Sequence, residues 1–477
     1  GIDAFLKELP GVFQQTPKQV NAFLQQYHRL WSNANAIFQP VEWWKKLPMP
    51  EGPKSQQQGG RRFSQVVKDT LKNGLLWVHF RNTDSPVLGI HILFKNRAAW
   101  EDSSTVGIAD FLHRLYFKGA GSDGEATLKK KLKAIGAEVK THDNDYIPFD
   151  DYYNTPMYSY IRFKTIDPFA TQAFQLLRAA IGSPDFSSRT VEAVRREMLG
   201  VLQMKNRRAS YRAHLGFRQM VFGKRHPLAY PVSGTVETIQ NITPADLRRF
   251  HLKYVSGNNM IVSVVSGLPT QAVKNLIQQA FGDLPRAATI PAFPSLKPTA
   301  GVETDTLQLN KQQAMLYWGY LFNADTLNWN AARVANSLLS GQLAFHLREE
   351  QGLAYRLGSS LQSVDDMGLF YVRMGTRPQN LKRAVSGILE EIQRFAQQPL
   401  DPGAVTRTKN AMIASMVRRA ATRENQAYLL GVTLFNGGSI SDYLNRIRNI
   451  ERVHTEDVDS VRQQVLQWNN YRLFIAR

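Results

Sequence analysis

The segment Asn241–Gly267, NITPADLRRFHLKYVSGNNMIVSVVSG, has a counterpart at the C-terminus, Val453–Arg477, VHTEDVDSVRQQVLQWNNYRLFIAR. In the first, Thr243 reads as an N-cap whose hydroxyl accepts a free N–H of the first turn. Pro244 follows at the first helical position, where no N–H is needed. An amphipathic helix runs on to Asn258-Asn259, and a β-branched strand begins there. The second copy repeats the order, with Thr455 as cap and Asn469-Asn470 before the strand. A looser third copy spans Gln14–Pro40, with Thr16-Pro17 at its start and a strand near Ala34–Phe38. Roughly 210 residues separate the two close copies, the signature of two modules that end alike.

The module bodies agree. LKAIGAEVKTHDNDYIPFDDYYNTPMYSYIRFKT in one and LAYRLGSSLQSVDDMGLFYVRMGT in the other each read as two antiparallel strands. A helix, a Pro/Asp turn and a second helix follow in both. The strands GLLWVHFRN and LGIHILFKN open the first module, and QAMLYWGYLF opens the second. The fold class is therefore α+β: two homologous sandwich modules, each an antiparallel-rich sheet with helices packed on one face. We place the first module at 66–284, a proline-rich linker at 285–301 and the second module at 302–477. Residues 1–40 read as the tail of a preceding module and 41–65 as a linker. On this reading the chain is the second half of a longer polypeptide or a piece cut from one.

Composition bounds the chemistry. The 477 residues are 43% hydrophobic and 21% charged, a globular profile. With no cysteine, disulfides, thiolate metal sites and cysteine nucleophiles are excluded from this chain. No apolar run is long enough to span a bilayer. The absent cysteines point to the bacterial periplasm ahead of the cytoplasm. The formal net charge is +20, with dense stretches at Lys129–Lys133 and Arg195–Arg208. No zinc finger or RNP box accompanies it, so solvated helix faces or an acidic partner fit it better than nucleic acid.

Three landmarks then point to a family. GIADFLHRLYFKG, Gly107–Gly119, resembles the pattern Gly-Leu-Ala-His-x-x-Glu-His closing on Phe-Lys-Gly. His226-Pro227 through Gly267 is similar to the segment that ends a module in the same proteins. LREEQGLAYRLGSS, from Leu347 on, keeps their Arg–Gly-Leu-Ala-Tyr order and spacing. Over about Gly74–Arg477 the chain resembles the inverzincins: pitrilysin, insulinase and the mitochondrial processing peptidase. The resemblance implies one half of a clamshell peptidase.

In that family two histidines four apart hold zinc, the glutamate between them activates water, and a downstream glutamate completes the ligand set. Here the matching positions are Asp110, His113 and Arg114. A guanidinium has no lone pair to give a metal. Downstream, Glu197 matches the outer glutamate, but the ligand position seven residues on is Met204, beside Gln203. Asp110 and His113 alone make two ligands at i, i+3, fewer than metal sites use. The expectation is a remnant without metal, with Asp110 or Glu197 paired to Arg114.

The resemblance assigns catalytic roles to Arg348 and Tyr355. Physically, Arg348 ends a helix, Gly352 stops it and Tyr355 opens the next strand. Such a pair supplies a guanidinium and a phenol to an oxyanion. The function expected is the non-metal-binding half of a zinc metalloendopeptidase, not catalytic alone. It completes the site of a zinc-bearing partner that carries His-x-x-Glu-His, and helps enclose peptide substrates. No cofactor is expected in this chain, and zinc belongs to the partner half. The alternative is a purely structural or peptide-binding subunit.

Overall fold

The computed structural model describes residues 66–145 and 155–477. The chain divides into two units, Gly1–Phe63 and Ser64–Arg477, and all described residues belong to the second. The expected module tail at 1–40 and linker at 41–65 lie outside the described residues.

The first half runs β1 (Val66–Thr70), β2 (Leu76–Arg81), β3 (Val87–Lys95), α1 (Ile108–Leu115), a short hairpin of β4 (Gly119–Ala120) and β5 (Asp123–Gly124), α2 (Glu125–Ala134), β6 (Glu138–Lys140) and β7 (Tyr158–Ile166). It continues through α3 (Ala170–Gly182), α4 (Ser188–Asn206), α5 (Ala209–Phe222), α6 (Val236–Asn241), α7 (Pro244–Tyr254), β8 (Met260–Ser266) and α8 (Thr270–Phe281). The second half runs β9 (Val302–Leu307), β10 (Ala314–Asn323), α9 (Trp329–Leu343), a π-helical turn (Ala344–Glu350), β11 (Arg356–Val364) and β12 (Met367–Thr376). Then come α10 (Leu381–Gln397), α11 (Pro402–Arg419), α12 (Arg423–Phe435), α13 (Ile440–Glu451), α14 (Thr455–Val465) and β13 (Tyr471–Ala476).

The two large sheets share one topology. The first has the order β1-β2-β8-β3-β7-β6 and the second β11-β12-β10-β13-β9. Read from the other end, the second sheet repeats β2-β8-β3-β7-β6 strand for strand. Each contains a single parallel pair, β2 with β8 and β13 with β9, and is otherwise antiparallel. The repeated helix–strand unit of the sequence supplies β8 and β13, the strands that sit next to the parallel partner. Thr243 caps α7 as expected, its hydroxyl accepting from the Asp246 N–H. In the second copy the cap is His454, with Thr455 the first helical residue. That one-residue shift arises because Asp457 accepts the His454 N–H at 2.8 Å.

The sequence of the central strands has a further consequence. β3, β8 and β10 are apolar almost throughout and buried along nearly their whole length. Continuous apolar strands require cover on both faces. One face of each sheet carries its own helices. The other is covered by a helix from the opposite half. α5 lies on β10 and β13, where Phe217 and Ala213 pack with Tyr317, Leu321 and Phe474. α12 lies on β3 and β8, where Tyr428 packs with Leu93 and Tyr160, and Leu430 with Val78. Close approach depends on glycine. A Cβ on Gly89 of β3 would stand 2.5 Å from the backbone of Arg423 and Glu424. A Cβ on Gly431 of α12 would stand 2.7 Å from the Ser263 hydroxyl.

Because the obstruction at Gly89 is backbone, Gly89→Ala must push α12 off the sheet. Urea unfolding should show a loss of about 1–3 kcal/mol, the usual cost of overpacking. An unchanged midpoint would mean that α12 is not seated on β3.

Candidate functional site

Two places carry the residues singled out by sequence: a buried pocket at α1 and the turn between α9 and β11.

All eight residues of α1 are buried. Its first turn is held by Glu101, whose carboxylate accepts the N–H groups of Gly107 at 3.0 Å and Ala109 at 3.1 Å. Asp110 and Arg114, four apart, share one face of the helix, and Arg114 Nε donates to Asp110 Oδ2 at 3.0 Å. Both other nitrogens of the guanidinium also donate. Nη2 donates to Asp145 Oδ2 at 2.6 Å, and Nη1 to Glu197 Oε1 at 3.2 Å. Lys205 pairs with the other Asp145 oxygen at 2.5 Å and donates to Ser233 Oγ at 2.9 Å. Arg97 approaches Asp110 Oδ1 at 3.5 Å and donates to the Val232 carbonyl at 2.9 Å. Around Arg114, three carboxylates thus face three cations, Arg114 among them.

The electrostatics follow. Burial alone would raise the Asp110 pKa, but the Arg114 and Arg97 guanidiniums overcome it and hold the carboxyl well below its usual range. Burial opposes the charge on Arg114, yet Asp110 and Asp145 keep it more firmly protonated than a free guanidinium. A zinc ion does not fit this donor set. The carboxylate lone pairs that a metal needs point at N–H groups, and a permanent cation stands among them.

His113 has other partners. Its Nδ1 donates to the Thr141 carbonyl at 3.1 Å, so the neutral ring accepts at Nε2 from Ser159 Oγ at 2.5 Å. Ser159 in turn lies 2.6 Å from the Tyr254 hydroxyl. Burial, then the nearby Arg97 charge, lowers the His113 pKa to about 3. The structure therefore brings Asp110, His113 and Arg114 to one cavity, with Glu197 bonded to Arg114 at its edge, while the hydrogen bonds of His113 go to Thr141 and Ser159. Met204 is half-buried, its sulfur accepting from Arg208. The residue of that turn that reaches the pocket is Lys205, eight after Glu197 and still on the same helical face. Arg97, Asp145 and Lys205 escaped the sequence reading. Only the helical spacing of Lys205 offered a signal, since Arg97, in a 3-10 turn after β3, and Asp145, in the loop after β6, are brought in by tertiary structure.

At the second place, the helix expected to end at Arg348 widens into a π-helical turn, a form enriched at functional sites. Gly352, at φ +61°, reverses the chain. Tyr355 N–H donates to the Gly375 carbonyl at 3.1 Å, starting the pairing that β11 continues with β12. The Arg348 side chain is 46% exposed and pairs with its neighbour Glu349 at 2.6 Å. Tyr355 is 81% exposed. No hydrogen bond joins Arg348 to Tyr355; both project outward. His346 pairs with Glu391 at 2.6 Å and not with Glu349.

Two outcomes test the pocket. Arg114→Ala takes the closest cation from buried Asp110 and one of two from Asp145, leaving Arg97 and Lys205 to face them, and urea unfolding should show a loss of about 3–5 kcal/mol; a loss under 1 kcal/mol would contradict the network. Burial raises the Glu101 pKa to about 7 from an unfolded value of 4.5. A carboxyl raised on folding contributes its stability below the unfolded pKa and loses it as pH rises through the folded one. Glu101→Gln should therefore flatten the fall in melting temperature between about pH 4.5 and 7; a slope equal to wild type would rule Glu101 out as its source.

Comparisons with known proteins bear on the sequence and the fold. The family described as "Peptidase M16 inactive domain" matches residues 241–412. The "Uncharacterized zinc protease YmxG" of Bacillus subtilis is 20% identical over 403 residues, covering 82% of this chain and 94% of its own. The "Non-peptidase homolog YmxG" of Helicobacter pylori is 24% identical, covering 78% and 87%. The crystal structure of a peptidase M16 inactive domain from Pseudomonas fluorescens superposes with TM-score 0.78 at 16% identity, over 86% of this chain and 98% of that one. The periplasmic protease PqqL of Escherichia coli superposes with TM-score 0.66 at 13% identity, over 86% of this chain but 47% of PqqL. In sequence pattern the chain is similar to the M16 proteins, most directly over residues 241–412, and in fold it resembles their solved structures.

Proposed function

We propose that this chain is the metal-free half of a two-part zinc endopeptidase, lending Arg348 and Tyr355 to a site whose zinc and general base sit on another half. The observation that carries the reading is a contrast. The pocket matching the family's zinc site is closed by its own cation, Arg114, while Arg348 and Tyr355 stand exposed on the other module. A guanidinium and a phenol aimed at a developing oxyanion stabilise it more than they stabilise the substrate. The partner supplies His-x-x-Glu-His, and peptide substrates are enclosed between the halves. The chain spans about half of PqqL, which supports an arrangement in which a second half of similar size is needed. PqqL is called periplasmic, and a cysteine-free chain suits that compartment.

A second reading is a structural or peptide-binding subunit without a part in catalysis, which the printed name of the Helicobacter pylori relative favours. Peptide turnover by the chain assembled with a zinc-bearing half separates the two. Arg348→Ala should lower kcat by about 10²–10³-fold, the usual cost of one oxyanion donor. Tyr355→Phe should act in the same direction. Full turnover in both variants would leave only the structural reading.

A further inference from the structure

The π-helical turn that carries Arg348 is held by a buried carboxylate with no part in the reading above. Glu391 of α10 has a side chain only 1% exposed. Its Oε2 accepts from His346 Nδ1 at 2.6 Å and from Gln342 at 3.1 Å, and its Oε1 from Arg394 at 2.6 Å. One helical turn earlier on α10, Gly387 makes room for Leu347, whose Cδ2 lies 2.7 Å from where a Cβ would be. The turn is thus docked on α10 by two consecutive residues, His346 and Leu347. Its backbone register is wide: the Gln351 N–H donates to the His346 carbonyl five residues back, at 3.2 Å.

We propose that Glu391 is a positioning residue: through His346 it holds this turn in the five-residue register and so sets the direction of Arg348. The energetic reason is burial. A carboxylate in the interior must keep its hydrogen bonds. Return to ordinary α-helical spacing changes the angular position of the residues past the bulge by about 100°, the rotation per residue. His346 and Arg348 cannot both keep their present directions through that change, so Glu391 would lose a donor. The bond between His346 and Glu391 and the direction of Arg348 are therefore linked. This inference rests on the oxyanion role proposed for Arg348, but the turn's register is measurable without it.

The cysteine-free chain allows a direct test. Nitroxide labels on Phe345→Cys and Ser386→Cys should give one narrow distance distribution by pulsed electron resonance. Glu391→Leu should shift or split it, and His346→Leu, a milder change at a partly exposed site, should do the same. Glu391→Gln, which keeps an acceptor for both donors, should restore it. An unchanged distribution in both leucine variants overturns the proposal, whatever the activity. In the assembly with a zinc-bearing half, Glu391→Leu should lower kcat at least tenfold with KM within twofold. The Arg348→Ala/Glu391→Leu double variant should be no slower than Arg348→Ala alone, because one change acts through the other. Additive losses overturn the proposal. If Arg348→Ala is silent, the oxyanion role fails, and the distance measurement alone decides the register.

Discussion

A single guanidinium organises the first half of this molecule. Arg114 takes one carboxylate from its own helix, one from the loop after β6 and one from α4. A metal ion joins elements through lone pairs. Arg114 does so through N–H groups, with a charge that neither pH nor a chelator removes. Lys205 and Arg97 bring the cations level with the three acids that Arg114 bonds. The space around Arg114 is thus filled by ion pairs. The cost of desolvating these ions is large, and their mutual pairing offsets it. That is why the helix can bury all eight of its residues while carrying charge.

The second constraint is the exchange of helices between the halves. Each sheet needs cover on both faces because its central strands are apolar on both. α5 and α12 provide that cover reciprocally, so neither sheet is complete without the other half. The two modules are alike in topology yet depend on one another for burial. The turn that carries Arg348 rests on the core of the second half through Leu347. Rigid support matters for an oxyanion donor, since its benefit falls if it must reorganise during reaction.

The repeat was legible because its signals are local. Threonine or histidine before a first turn, an Asn-Asn corner and a β-branched run are read within a window of some twenty-five residues. The sequence reading puts helices on one face of each sheet only; cover of the second face comes from the opposite half. Helix exchange joins residues far apart in sequence, such as Gly89 and Arg423, and no local pattern encodes that. The same applies to the pocket. Asp110, Arg114 and Glu197 could be found by helical spacing and family pattern, but Arg97 arrives from a 3-10 turn and Asp145 from a loop. The wide turn before Gly352 had no signal either, because a π register depends on the partners that hold it. Here they are Glu391 and the space above Gly387.

The central claim is that Arg114 occupies the place of the ion and that hydrolytic metal belongs to another half. Metal content of the purified 477-residue chain tests it most directly, after incubation with zinc and removal of unbound ion. The account predicts far less than one zinc per chain, and none recovered with the folded protein after mild chelation. One tightly held zinc per chain, retained through chelation and accompanied by peptide cleavage, would contradict it.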